Sequence, residues 1–428
     1  MNELYEVLKY YVYYKYCMRF VGRKGLEKRQ LKRIEKHLQY VSEHSKIYRG
    51  IKKLNDCPVI DKAFMMKHFS ELNTVGIKGE EAEAFAVRAE RKRDFVPKLK
   101  NVTVGLSSGT SGQRGIFLVS DQERMRWAGY VLAKFLPDGI WKSCSIAFFM
   151  RADSNLYQSV GKGRIRFYFF DIYQDMGEHW ERLESVNPQV LVGQPSILLA
   201  IAREKVRIYP KMVISVAEVL EKQDERRLAE AFGVNVIHQA YQCTEGFLAS
   251  TCKYGTLHLN EDIVHIEREY LDEHRFVPVV TDFERKAQPI IRYRLNDILV
   301  EKKGLCKCKS PCRALEKIEG REDDVFYFQG RDGTERRVFP DFIRRCVLFA
   351  ENGSVVSDYR VVQEENGAIT VYGDLTENGT WQIKKELEKL AEDRDFILPE
   401  VYFEGYRCEP GKKMKRVERI CLGRNRQG

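Results

Sequence analysis

The run TVGLSSGTSGQRGIFLVS at 103–120 sets glycines at 105, 109, 112 and 115 among the hydroxyls of Ser107, Ser108, Thr110 and Ser111. Glycines let a backbone turn its N–H groups outward and hydroxyls add donors, so such a loop can wrap a polyphosphate. Arg114 would hold a fixed, forked positive charge over the phosphates. No Gly-Lys-Ser/Thr follows the glycines, and IFLVS alternates like a strand. The loop therefore joins two strands and is not the strand-to-helix loop of P-loop enzymes. Taken alone, a Gly/Ser-rich run is commonly a surface turn, so its companions must decide.

A second group of reactive side chains comes from sulfur. Cys252 and His258 lie in STCKYGTLHL, and Cys306, Cys308 and Cys312 in LCKCKSPC. Thiolates and an imidazole at short spacings on two segments suit a tetrahedral zinc site. Unrelated reduced thiols with a surface histidine are the alternative. In FFMRADSNLYQ (148–158), Arg151, Asp153 and Ser154 follow an apolar strand and could head a carboxylic-acid pocket, or close a turn on themselves. His179, His238 and His265 form no Ser-His-Asp or Cys-His pattern.

The elements that must position these residues follow from periodicity. The first 75 or so residues read as helices, among them LEKRQLKRIEKHLQYVSEHSKIY. From about 100 to 300, β-rich runs (NVTVGL, IFLVS, SIAFFM, RIRFYFFDIY, VLVGQP, MVISVAE, NVIHQAY) alternate with helical stretches. That alternation implies an α/β sheet covered by helices. Past residue 320 come a hairpin pattern, SDYRVVQEENGAITVYGDL, an amphipathic helix, WQIKKELEKLAED, and a final strand, EVYFEGY. This is a small α+β unit. The expected division is a large α/β domain over 1–322 and a small, mobile domain over 323–428. At 428 residues the chain is long enough for two such domains.

Composition narrows the classes. With 43% hydrophobic and 31% charged residues, the chain is neither disordered nor a disulfide scaffold. The formal net charge of +10 is spread out, with only short clusters such as RAERKRD and KKMKRVER, so it suits anionic ligands without calling for nucleic acid. No apolar run approaches the ~20 residues of a membrane span. The opening MNELYEVLKYYVYYKYCMRF carries acids and bases throughout, so it reads as a first helix packing its aromatics on the body, not as a secretory signal. Eleven cysteines without a signal imply reduced thiols and a cytoplasmic protein.

Downstream of the glycine loop come, in order, SVAE (215–218), HQAYQCTEG (238–246), IRYRLND (291–297), IEGREDD (318–324) and PGKKMKRV (410–417). With these six motifs, the chain over about 100–420 resembles the adenylate-forming superfamily of acyl-CoA synthetases and carrier-protein loading enzymes. It looks most like the phenylacetate-CoA ligase branch, whose relatives include the synthetase that adenylylates a deazaflavin coenzyme.

The resemblance implies a role for each matched position. Ser107, Ser108, Gly109, Thr110, Ser111 and Gly112, with Arg114, would hold the leaving phosphates of ATP. Glu245, after Thr244, would ligate magnesium. Ala217 and Glu218 would belong to the nucleotide-binding set, and Tyr241 would stack on the adenine. Asp297 would accept both ribose hydroxyls and Arg321 would assist there, with the hinge at Asp323 or Asp324. Lys413, or Lys412 if the register is set by the preceding glycine, would stabilise charge at the α-phosphate. Cys252, His258, Cys306 and Cys308 would hold a structural zinc, with Cys312 as the substitute. Three local departures stand out: SGQRG in place of a Pro-Lys pair, Gln242 in place of a glycine, and Leu-Asn in place of Thr-Gly before Asp297.

The reaction so implied activates a carboxylic acid, aromatic or aryl-alkanoic, as its acyl-adenylate and passes the acyl group to the thiol of coenzyme A or a phosphopantetheine carrier protein. Rotation about 323–324 would serve the two half-reactions in turn. Two alternatives stay open. One transfers AMP to a phenolic hydroxyl. The other is a non-catalytic scaffold on the same fold.

Overall fold

The computed structural model describes residues 3–18, 21–107, 114–150, 164–350, 358–406 and 414–420. The chain forms two compact units, one of Met1–Leu295 with Val300–Lys317, the other of Asn296–Leu299 with Ile318–Gly428.

In the first unit, the strands β1 (Val102–Leu106) and β2 (Ile116–Ser120) pair antiparallel, Leu106 opposite Ile116. The strand-loop-strand reading of the glycine run is therefore correct at its two flanks. A long sheet holds β3 (Cys144–Met150), β4 (Ile165–Asp171), β5 (Val190–Gly193), β6 (Met212–Val216), β7 (Ile237–Cys243), β8 (Gly246–Thr251) and β9 (Leu257–Leu259). It continues through β10 (His265–Tyr270), β11 (Arg275–Asp282), β12 (Ile290–Arg294), β13 (Asp297–Glu301) and β14 (Ala314–Arg321). Its spatial order is β10-β11-β13-β14-β9-β8-β7-β6-β5-β3-β4, with β12 on β11. The division between units passes through β13 and β14.

The stretch from β4 to β7 is parallel, because a helix returns the chain after β5 (Pro195–Arg203) and after β6 (Lys222–Phe232). Phe149, Phe170, Leu191, Leu198, Val213 and Leu228 are buried together between these helices and the sheet. From β7 onward hairpins make the sheet antiparallel. The alternation of runs did not reveal this half.

The N-terminal helix Glu3–Val12 buries Val7 and Tyr11, and Tyr14 follows them into the interior. A Cβ at Gly129 of the helix Asp121–Phe135 would stand 2.5 Å from the Val7 carbonyl, so only glycine permits that approach. Tyr5 and Tyr16 stay exposed.

The second unit has its own core. A four-stranded sheet in the order β19 (Val401–Glu404), β18 (Ile369–Gly373), β17 (Tyr359–Gln363), β20 (Val417–Arg419) is joined by a hairpin of β15 (Phe326–Gln329) and β16 (Glu335–Val338). The helix Glu377–Asp393 buries Ile383, Leu387 and Leu390 at the 3.6-residue period its sequence announces. They pack with Phe326, Ile343, Val361, Val371 and Phe396. Asn296 belongs here because its side-chain amide donates to Asp323 (2.6 Å) and its carbonyl accepts the Glu322 N–H (2.9 Å). Among the described residues no helix is long and apolar enough to cross a membrane.

Candidate functional site

Parallel strands align their carboxyl ends, and here that alignment collects the motifs. Gly193 stands opposite Ser215, and Val216 opposite Ala240, so the residues after β5, β6 and β7 emerge along one edge. β3 has β4 on one side and β5 on the other, which makes a topological switch point where an open α/β sheet leaves a crevice. Ala217, Glu218, Thr244 and Glu245 all sit at this edge. Arg151, Asp153 and Ser154, which follow β3, lie outside the described residues.

Ala217 takes a left-handed φ of +66°, and the Glu218 N–H closes a tight turn onto the Val216 carbonyl at 2.8 Å. A non-glycine residue there stores roughly 1–3 kcal/mol of strain, a cost characteristic of ligand-holding turns. Glu218 accepts the N–H (3.2 Å) and hydroxyl (3.1 Å) of Ser196, in the first turn of Pro195–Arg203. Its carboxylate thus meets the positive end of that helix.

Tyr241 is half-buried in β7, beside a bulge at Tyr241/Gln242 that twists the β7–β8 hairpin. Thr244 and Glu245 form its two-residue tip, where the Thr244 hydroxyl donates to Glu245 at 2.9 Å. The buried Tyr293 phenol is hydrogen-bonded to Glu245, and burial first, then the Glu245 charge, raises its pKa above the ordinary tyrosine value. Arg285 clamps this tip to β2 by donating to the carbonyls of Thr244 and Leu118, both at 3.0 Å. The 284–288 segment is held in turn by Glu123, which accepts the N–H groups of Lys286 and of Ala287 (2.8 Å) while closing a capping box with Ser120. Tyr293, Arg285 and Glu123 were missed from sequence. Tyr293 and Arg285 sit in or near IRYRLND, and the Ser-x-x-Glu spacing of 120–123 was a readable signal for Glu123.

At the base of the glycine loop, the Ser107 N–H bonds the Gly115 carbonyl, and the Gly115 N–H bonds the Ser107 hydroxyl, both at 2.7 Å. Ser108, Gly109, Thr110, Ser111 and Gly112 lie outside the described residues. Arg114 makes a forked pair with Glu90, at 2.6 and 2.5 Å. The pair is substantially exposed, and such pairs contribute about 1 kcal/mol or less, so a phosphate can compete for the arginine.

In the second unit, Arg321 approaches Asp297 at 3.6 Å, bringing together the two residues matched to ribose binding. Asp324 is buried and pairs with Lys415 at 3.0 Å. Burial raises its carboxyl pKa, against the pull of Lys415. Lys415 is thereby committed within PGKKMKRV, and Lys412 and Lys413 lie outside the described residues.

The structure brings Cys252, His258, Cys306 and Cys308 together, with all donor atoms within 4.8 Å of one another. Sulfurs of Cys252 and Cys306 are 3.7 Å apart, and Cys308 Sγ is 3.2 Å from His258 Nε2. With zinc–sulfur bonds of about 2.3 Å, two corners of a tetrahedron stand about 3.8 Å apart. His258 Nδ1 is engaged by the Cys312 carbonyl at 3.0 Å, which turns Nε2 toward the cluster as a metal-binding histidine requires. The Cys308 N–H points to Cys306 Sγ (3.5 Å) and the Ser310 N–H to Cys308 Sγ (3.4 Å), donors that favour thiolates. The residues fit a zinc ion. Cys312 stands outside the donor set, and burial pushes its thiol up to about 12.

No protein-family model and no curated protein matches the chain. Solved structures do. A 2-hydroxyisobutyryl-CoA ligase in the postadenylation state, in complex with 2-HIB-AMP, aligns over 92% of this chain and 89% of its own, at 15% identity and a TM-score of 0.67. The chain has the adenylate-forming ligase fold. ATP-bound MatB from Rhodopseudomonas palustris matches with a TM-score of 0.52 at 14% identity, covering 70% of this chain and 63% of its own. The anthranilate CoA ligase AuaEII, in complex with anthranoyl-AMP, matches at 0.51 and 11% identity over 74% and 66%.

Proposed function

We propose that the protein is an ATP-dependent, AMP-forming acid–thiol ligase. A carboxylate oxygen attacks the α-phosphorus of ATP, the bond to the β-phosphate oxygen breaks, and acyl-adenylate and pyrophosphate result. A thiol, that of coenzyme A or of a phosphopantetheine carrier protein, then attacks the acyl carbon and AMP leaves. The observation that carries this reading is the emergence of Ala217–Glu218 and Thr244–Glu245 side by side at the carboxyl ends of the adjacent parallel strands β6 and β7, within this fold.

Little covalent chemistry is asked of the protein in such a transfer; placement and charge neutralisation do the catalysis. The strained turn at Ala217 and the half-buried ring of Tyr241, on adjacent strands, are assigned to the nucleotide, with Tyr241 stacking on the adenine. Glu245, oriented by Thr244 and Tyr293, is the hard oxygen donor for the magnesium that accompanies ATP. The glycine loop of 107–115 and Arg114 take the departing phosphates. Asp297 has two acceptor oxygens for the two ribose hydroxyls, and Arg321 fixes its position. Lys413 is assigned the developing charge at the α-phosphorus. We place the acid in the aromatic or aryl-alkanoic class, on the motif resemblance to the phenylacetate-CoA ligase branch.

Cys252, His258, Cys306 and Cys308 would hold a zinc ion with four protein ligands. A closed site of this kind supplies no water for catalysis and pins two loops together. The experiment is to incubate the protein with magnesium, ATP, coenzyme A and a panel of acids, and to look for AMP and the acyl thioester by mass spectrometry. ADP as the product, or AMP attached to a hydroxyl, would overturn the reading.

A further inference from the structure

Exposed apolar side chains scattered singly over a surface are ordinary, but here they gather at one place. Among the described residues, five of the sixteen exposed large hydrophobic side chains fall within the first 31 positions: Leu4, Tyr5, Val12, Tyr16 and Leu31. Tyr5, Val12 and Tyr16 recur seven and four residues apart along the helix Glu3–Val12 and the turn Tyr13–Cys17 that continues it. That spacing puts them on one face, opposite the buried Val7, Tyr11 and Tyr14. Half of the aromatic content of this segment is thus spent on the core, and the other half faces outward.

The neighbouring helix Arg23–His44 supplies charge beside that stripe. Arg29 donates to the Tyr13 hydroxyl (3.4 Å) and to the Met18 sulfur, and Arg33 covers the Tyr13 ring and reaches the Tyr14 hydroxyl at 3.5 Å. These ties lay the two helices side by side on the body of the first unit. Leu26, Gln30, Ile34, Leu38 and Val41 turn inward, where the Gln30 amide donates to the carbonyls of Glu261 and Val264. Lys24, Lys28 and Lys32, four residues apart, therefore form one exposed row, and none has an ion-pair partner among the described residues. Of the two acids in the same stretch, Glu27 is taken by Arg23 at 2.7 Å, which leaves Glu35 against the three lysines and Arg29. On the first helix, Glu3 pairs with Arg124 and Glu6 with Lys9, so the acids there do not cancel the row.

The charge decides what covers this surface. A second copy of the chain meeting it across a two-fold axis would set each lysine row against its own equivalent, and like charges repel. Protruding tyrosines and a valine beside unanswered ammonium groups suit a negatively charged lipid surface. Tyrosine rings settle at the headgroup level, and lysines meet the lipid phosphates without any preformed pocket. We propose that the outer face of these two N-terminal helices binds an anionic lipid bilayer, reversibly and without crossing it. Tyr5, Val12 and Tyr16 dip into the headgroup region while Lys24, Lys28 and Lys32 lie over the phosphates. The face belongs wholly to the first unit, and the inference stands whether or not the ligase reading does.

The test is co-sedimentation of the full chain with vesicles of phosphatidylcholine alone and of phosphatidylcholine mixed one to one with phosphatidylglycerol. Binding is expected to the mixed vesicles, to weaken as salt is raised, and to be slight on phosphatidylcholine. Each lysine near an anionic surface contributes about fivefold, so the double variant Lys28→Gln, Lys32→Gln is expected to bind roughly 25-fold more weakly. Tyr5→Ser combined with Val12→Ser should cost about tenfold and leave the salt dependence in place. All four side chains are exposed or on the outer face, so a thermal scan of both variants is expected to match the native protein. No binding to the mixed vesicles at millimolar lipid overturns the proposal, as does equal binding to the two vesicle types or unchanged binding of the lysine variant. Retention of the native chain on immobilised polyglutamate without any vesicle binding would assign the face to an acidic protein instead and equally overturn it.

Discussion

Replacing Cys308 by serine removes one of four donors from the Cys/His cluster while leaving the loop around it the same size. In the native chain Cys308 Sγ lies 3.2 Å from His258 Nε2 and receives the Ser310 N–H at 3.4 Å, so the substitution strikes both the proposed zinc site and the turn that presents it. A ligand held only by the folded state stabilises it by about 4 kcal/mol when its free concentration is a thousand times its Kd. For a unit of this size, at about 2.1 cal/mol/K of unfolding entropy per residue, each kcal/mol shifts Tm by about 1.5 °C, so loss of the ion should lower Tm by roughly 6 °C. The assay is metal analysis of dialysed protein beside a thermal scan. Native protein is expected to carry one zinc per chain, and Cys308→Ser to carry none. Cys312→Ser is the control, because Cys312 contributes a backbone carbonyl to His258 and not its sulfur, so this variant should keep its zinc. Native protein without zinc, or a Cys312→Ser variant that loses zinc while Cys308→Ser keeps it, would refute the reasoning.

Three further outcomes follow from the site. Glu123→Ala strands the N–H groups of Ser120, Lys286 and Ala287, and at about 1–3 kcal/mol for each unsatisfied donor it should cost roughly 3–9 kcal/mol in urea unfolding. A loss under about 1 kcal/mol would mean that water replaces the carboxylate. Burial raises the Asp282 carboxyl from 3.8 to about 7, so between those values the folded state holds a proton that the unfolded state has lost. Stability therefore falls as pH rises through that window, by on the order of 4 kcal/mol, and Asp282→Asn should gain on the native protein between about pH 5 and about pH 8. An equal stability gap at both pH values would contradict this. Tyr293→Phe keeps the buried ring but frees Glu245, and should slow adenylation about tenfold with little change in Tm. Unchanged turnover would show that Glu245 needs no such support.

How much of this was legible beforehand depended on the range of the interaction. Local patterns read well: SIAFFM and RIRFYFFDIY became β3 and β4, and WQIKKELEKLAED became the amphipathic helix that buries Ile383, Leu387 and Leu390. The four members of the Cys/His cluster were legible because they sit at short spacings on two segments, so that one pairing of those segments brings all four together. Long-range ties were not. Nothing in periodicity says that Asn296, inside IRYRLND, bonds Asp323 and joins the second unit. The antiparallel half of the sheet arises from hairpin pairing, which alternation alone does not encode. Glu90, which forks onto Arg114, sits in a helix with nothing to mark it out among its acidic neighbours.

Acyl-adenylate formation is reversible while pyrophosphate is present, so ATP–pyrophosphate exchange reads that half-reaction by itself. Purified, zinc-analysed protein would be assayed with pooled aromatic, aryl-alkanoic and aliphatic acids, beside Glu245→Ala and Lys413→Ala. Exchange is expected to require one acid pool, the aromatic or aryl-alkanoic one, and to collapse in both variants. Exchange without any acid, or no exchange with any pool from protein that binds ATP, would contradict it.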